Sequence, residues 1–180
     1  VRSFTRQGGI PRLEVRLLCD GGPPRLALAQ SRLLPAGSAP GAPQTWQLPL
    51  RIRTPAGESR LLMTAPAAEL PLPDATCPAW VQQNAGGTGY WRAVLYGDGL
   101  QRLAAAPLPV AEWLALLDDG IGLHGAGDID NRQALALVQA AVRAAAVQPS
   151  VAVVGAASGA ASGEVLQAAA RLLQHLRPLV

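Results

Sequence analysis

Up to Tyr96 the apolar residues fall mostly at every second position, and from Gly99 onward they fall at every third and fourth, so the chain changes period once. Leu13, Val15 and Leu17 alternate with Glu14 and Arg16, which predicts a half-buried strand over 13–19. After the turn Asp20–Pro24, Leu26, Leu28 and Gln30 alternate against Ala27, Ala29 and Ser31, and this second strand is a natural partner for the first. The stretch 35–43 is a Pro/Gly/Ser loop. Trp46, Leu48, Leu50 and Ile52 then share one phase of a strand over 44–53, in which Pro49 lacks a backbone donor and so implies a sheet edge or a bulge. A turn at 55–58 separates it from strands at 59–64 and 68–72.

The segment 80–96 (WVQQNAGGTGYWRAVLY) holds both tyrosines and two of the four tryptophans. Trp80–Gln83 reads as a short strand, 84–89 as a glycine turn, and 90–96 as a strand with Tyr90, Arg92, Val94 and Tyr96 on one face and Trp91, Ala93 and Leu95 on the other. The two halves are expected to form a hairpin at the centre of a two-sheet body. Arg92, flanked by aromatics, needs a carboxylate, carbonyls or a stacked ring for its five donors.

The later segment predicts helices. One covers 99–106; a second has Pro109 in its first turn, Trp113, Leu116, Leu117 and Ile121 on one stripe, and an end near His124-Gly125. Asp130 with Gln133 forms a capping box for a third, which carries Leu135, Val138, Val142 and Ala145 and is stopped by Gln148-Pro149. Residues 151–161 are read as helix although the run VAVV favours a strand. Ser162 caps a last helix with Val165, Leu166, Ala169, Leu172, Leu173 and Leu176 inward, halted before Pro178. The expected fold is thus α+β in two segregated parts: an antiparallel β-sandwich of immunoglobulin-like type over residues 1–97, then an all-α antiparallel helical array over 98–180. Such an array needs further units to cover its open face, so its C-terminus is expected to be cut.

Composition narrows the function classes. Of 180 residues 49% are apolar, enough for a core, and the net charge of +3 comes from scattered arginines without a single lysine, a bias of GC-rich, bacterial-type genomes. No basic run or base-stacking spacing points to nucleic acid, and no apolar run reaches the roughly 18 residues of a membrane span. The opening VRSFTRQGG is not a signal peptide; the chain is expected to begin mid-protein, and its compartment, cytoplasmic or periplasmic, stays open. Cys19 and Cys77 could pair if their strands are neighbours, but free buried thiols are the default expectation.

Catalytic chemistry is not evident. His124 and His175 are the only histidines and both suit helix C-termini. Asp118 and Asp119 are adjacent on a helix, so they point apart and are expected to face water. Ser158 and Ser162 lack a nucleophile-elbow spacing, and the glycines at 86, 87 and 89 are not followed by a helix that would cradle a phosphate.

Three ordered stretches carry a resemblance. Trp80, Asn84, Gly89, Tyr90, Trp91, Arg92 and Tyr96 follow the pattern W-x-x-x-N, a short turn, then G-aromatic-aromatic-R-x-x-x-Y. Gln7-Gly8-Gly9-Ile10-Pro11 and Trp46-Gln47-Leu48-Pro49-Leu50 precede it in order. Together they resemble the β-sandwich domain of the aminopeptidase N-like (gluzincin) zinc metallopeptidases, with Trp91 and Ala93 as mild departures and little match beyond Pro109. The resemblance implies a parent that cleaves N-terminal residues from peptides with one zinc ion held in a catalytic domain that this chain lacks. No HExxH motif can be written here, so the resemblance implies no catalytic, cofactor or metal residue in the chain. Its marked positions, Trp46, Trp80, Asn84, Gly89, Tyr90, Trp91, Arg92 and Tyr96, are expected to build the structural core. The partners implied are the absent catalytic domain and, through the parent, peptides. The alternative is a freestanding sandwich module that grips a peptide or protein along an exposed edge strand.

Overall fold

The computed structural model describes residues 2–147 and 158–176. A single helical turn, α1 (Arg2–Thr5), precedes strands β1 (Pro11–Leu18), β2 (Arg25–Arg32), β3 (Leu48–Thr54), β4 (Gly57–Met63), β5 (Ala67–Pro71) and β6 (Arg92–Leu95). Helices α2 (Gly99–Ala104), α3 (Val110–Ala126), α4 (Asn131–Val147) and α5 (Ser158–His175) follow. The fold is mixed α+β, with strands in two sheets and helices after them.

One sheet has the order β5-β2-β1-β6 and the other is the hairpin β3-β4. β1 and β2 pair antiparallel along their whole length, Val15 opposite Leu28, as their matched alternation requires. Leu13, Val15, Leu26 and Leu28 of the first sheet and Leu48, Leu50, Ile52 and Met63 of the second enclose one apolar core with Trp46 and Trp91. Gln30 is the polar member of that core: its amide donates to the Trp46 and Ala65 carbonyls and accepts from the Trp46 amide.

The expected central hairpin does not form. β6 pairs with β1 in parallel, Arg12 beside Arg92 and Val15 beside Leu95, and 80–84 touches β3 only through isolated bridges at Gln82 and Asn84. The reason lies in the intervening loop, which closes on itself. The Asn84 side chain accepts from the Gly89 amide (2.8 Å) and donates to its carbonyl (3.3 Å), and the Gly87 amide reaches the Asn84 carbonyl. The Trp91 ring then lies so close to Gly89 that a Cβ there would meet it at 2.0 Å. Sheet pairing is consequently not all antiparallel.

Cys19 and Cys77 are disulfide-bonded (S–S 2.04 Å), correcting the expectation of free thiols: the end of β1 and the segment after β5 bring the Cα atoms to 5.5 Å, within disulfide reach.

The helices fill a second apolar cluster against the other face of β6, with Val94, Leu103, Trp113, Leu117, Leu137, Val138, Val165 and Leu172 inside. α3 starts after Pro109 and runs past His124-Gly125 to Ala126, where Gly127 (φ 78°) supplies the left-handed cap. The Asp130–Gln133 capping box forms reciprocally, at 2.7 and 3.0 Å. α5 begins at Ser158, so Ser162 sits within the helix and is not its cap; residues 151–157 of the helix expected there lie outside the described residues. Two expected inward pairs, Leu135 with Val142 and Leu166 with Leu173, are each about 44% exposed. Val138 on α4 and Val165, Ala169 and Leu172 on α5 are buried as expected, and Ala134, Leu137 and Ala141 on α4 and Ala168 on α5 complete the stripes that pack.

Candidate functional site

Three arginine–carboxylate links lie along the line where strands meet helices. At the first, β1 points Arg12 at the turn after α3, where its guanidinium donates to both Asp128 oxygens (2.8 and 2.6 Å) and pairs with Glu14. The forked geometry fixes orientation as well as charge, and the bond to Asp128 holds the Arg12 pKa further above its ordinary value.

The second is built on the first turn of α3. Glu112 is 2% exposed and accepts from Arg53 on β3, from the Gln82 side chain (3.2 Å) and from the Gly86 amide (2.9 Å). An acid at a helix N-terminus also meets the positive end of the helix dipole. Arg53 lies over the Trp80 ring, 5.2 Å from its centroid. Gly87 (φ 66°) lets the loop pass so close to α3 that a Cβ would meet the Ala111 carbonyl at 2.5 Å.

At the third, Arg92 of β6 reaches Asp118 (2.5 Å) and Asp119 (3.4 Å) on α3, and passes over Gly122, where a Cβ would meet its Nε at 3.1 Å. Asp119 is buried, with only long contacts to Arg92 and to the Ala93 amide (3.4 Å), and burial pushes its carboxyl up to about 7. The expected carboxylate partner for Arg92 is present, whereas Asp119 turns inward against the expectation that both acids face water.

The eight expected core positions divide. Trp46, Trp91 and Asn84 are buried, Gly89 is packed under the Trp91 ring, Trp80 is partly buried beneath Arg53, and Arg92 is held in the seam. Tyr90 is 57% exposed and edge-on to Phe4, and Tyr96 is 38% exposed, donating to Glu14 at 2.9 Å beneath Arg16. These two tyrosines are outside the core: α3 covers the middle of their shared face, at Arg92 and Val94, and leaves its ends open.

Sequence reasoning missed Glu112, Asp128 and the pairing roles of Arg12 and Arg53. A usable signal existed, since Glu112 beside Trp113 and Asp119 between Leu117 and Gly120 interrupt an otherwise apolar helix.

The two imidazoles stand apart, His124 on α3 bonded to Asn131 and His175 on α5 bonded to the Arg171 carbonyl. No group of three His, Cys, Asp or Glu side chains among the described residues is placed to hold a metal. No helix among them is long and apolar enough to cross a membrane. What the arrangement does chemically is to tie helices to strands by partly desolvated ion pairs.

The chain is similar to a curated relative. Puromycin-sensitive aminopeptidase of Caenorhabditis elegans is 27% identical over 139 residues, covering 72% of this chain and 15% of that protein. The chain therefore spans under a sixth of that relative's length. No protein-family model matches it.

Proposed function

We propose that this chain is the non-catalytic bracing portion of a zinc-dependent aminopeptidase that removes N-terminal residues from peptides. On this reading residues 1–97 form a sandwich of immunoglobulin-like type, and residues from 98 open a helical domain. The partner of both is the catalytic domain of the same parent, which carries the zinc and the peptide site. The observation that carries the reading is the likeness to puromycin-sensitive aminopeptidase over 72% of the chain. The three ordered motifs and the ion-paired seam support it: a brace must hold strands and helices at a fixed angle, and three partly buried pairs at separate points resist rotation as one could not.

The test has two arms. The isolated chain, given an aminoacyl-arylamide substrate, is expected to show no turnover and no stoichiometric zinc; chelator-sensitive hydrolysis with bound zinc would refute the non-catalytic role. In the complete parent, Arg92→Ala is expected to lower turnover while zinc content is kept. Unchanged turnover and thermal stability there would refute the bracing role.

A further inference from the structure

A half-open groove of about 1010 Å³ lies between α4 and the segment formed by α2 and the loop that follows it. Its floor is apolar, with Leu100, Leu108, Trp113 and Leu137. Ala136, Ala140 and Ala144 line the α4 wall, with Arg132 and Arg143 towards its two ends. These two arginines differ from those of the seam. Arg12, Arg53 and Arg92 each hold a carboxylate, and Asp98, the acid of the groove, is bound to Arg102 at 2.7 Å. Arg132 and Arg143 are exposed and have no acceptor among the described residues. Eleven residues make about three helical turns, so both stand on one face of α4 with Cα atoms about 16 Å apart.

We propose that this groove docks an acidic amphipathic helix of a partner protein. Its apolar stripe would enter between α2 and α4, and carboxylates about three turns apart would meet Arg132 and Arg143. Two features select a helix over an extended peptide. The groove walls are helices, whose backbone groups are already bonded, so they offer no sheet edge to an extended chain, whereas a helix satisfies its own backbone. The alanines at successive turns of α4 also leave no side chain beyond Cβ, which permits the close end of the roughly 8–10 Å interaxial range. Two exposed cations without an acceptor among the described residues, beside an apolar floor, select acidic residues for the rim of the incoming helix.

A labelled synthetic helix with two glutamates three turns apart bracketing a leucine stripe, titrated into the whole 180-residue chain and read by fluorescence anisotropy, tests this. Saturable binding is expected, weakened by about tenfold or more in the Arg132→Glu, Arg143→Glu double variant, and recovered there by a peptide with lysines in place of the glutamates. Ala136→Trp, on the exposed wall, should block binding while the helical circular dichroism is unchanged. Absence of saturable binding to the native chain, equal affinity for a glutamine version of the peptide, or full affinity in the double variant would each overturn the proposal.

Discussion

Replacing Glu112 by alanine removes the one carboxylate that three donors from the strand side share. Its cost follows from what each donor is left with. Gln82 is 2% exposed, so its amide does not meet water without rearrangement, whereas Gly86 is exposed and its N–H can turn to solvent. A stranded buried donor costs about 1–3 kcal/mol. The Arg53 side chain is 27% exposed and already rests on Trp80, so it can turn towards solvent, and its ion pair contributes about 1 kcal/mol after that discount. Loss of an acid from the first turn of α3 adds about 0.5 kcal/mol. Together the Glu112→Ala variant should lose about 4 kcal/mol, a large share of the roughly 5–15 kcal/mol that holds a domain folded. Glu112→Gln keeps the shape and one acceptor oxygen, and should lose about half as much. Urea unfolding followed by tryptophan fluorescence reads these losses as midpoint shifts at constant m-value. A double-mutant cycle with Arg53→Ala should return a coupling of about 1 kcal/mol. A Glu112→Ala midpoint within about 0.5 kcal/mol of the native protein would refute the reasoning, because it would mean that the donors exchange Glu112 for water freely.

Three further outcomes are expected. Burial pushes Asp119 from 3.8 up to about 7, so the folded chain holds that proton more tightly than the unfolded one; stability should fall as the pH rises between those values and level off above, and Asp119→Asn should remove the slope. An unchanged slope in that variant would place the titration elsewhere. Cys77→Ser, which opens a bond spanning 58 residues, should lower stability by about 4 kcal/mol, and reductant should lower the native midpoint equally while leaving the variant alone. Gly87→Ala forces a positive φ and a clash with the Ala111 carbonyl, and should lose about 2 kcal/mol or more, whereas Gly21→Ala, with a similar φ and open space, should lose less; equal losses by calorimetry would remove the packing argument.

Much of the fold was legible as periodicity. β1, β2, β4 and β5 lie within two residues of the alternating runs, and the α3 and α4 starts follow from Pro109 and the Asp130 box, because these signals are local. Pairing was not legible. Alternation in 90–96 reports two faces, and it says nothing of which strand stands alongside, so it does not distinguish a hairpin with 80–83 from the observed pairing with β1. The same rule predicts the two tyrosines inside, because it registers a residue's phase and not how far the covering helix extends. The disulfide depends on two segments 58 residues apart, and the seam includes pairs as distant as Arg12 and Asp128. Only Arg92's need for a carboxylate could be argued beforehand, from the chemistry of a guanidinium among aromatics.

The parallel register sets Arg12 next to Arg92 across the sheet, two like charges on neighbouring strands facing the same way. Their main counter-ions arrive later in the chain, Asp118 and Asp119 on α3 and Asp128 just beyond it. A nascent strand half thus carries a repulsion that Glu14 offsets only at Arg12 until the helices emerge, and cutting the chain at the end of β6 should yield a product that aggregates or stays loosely ordered.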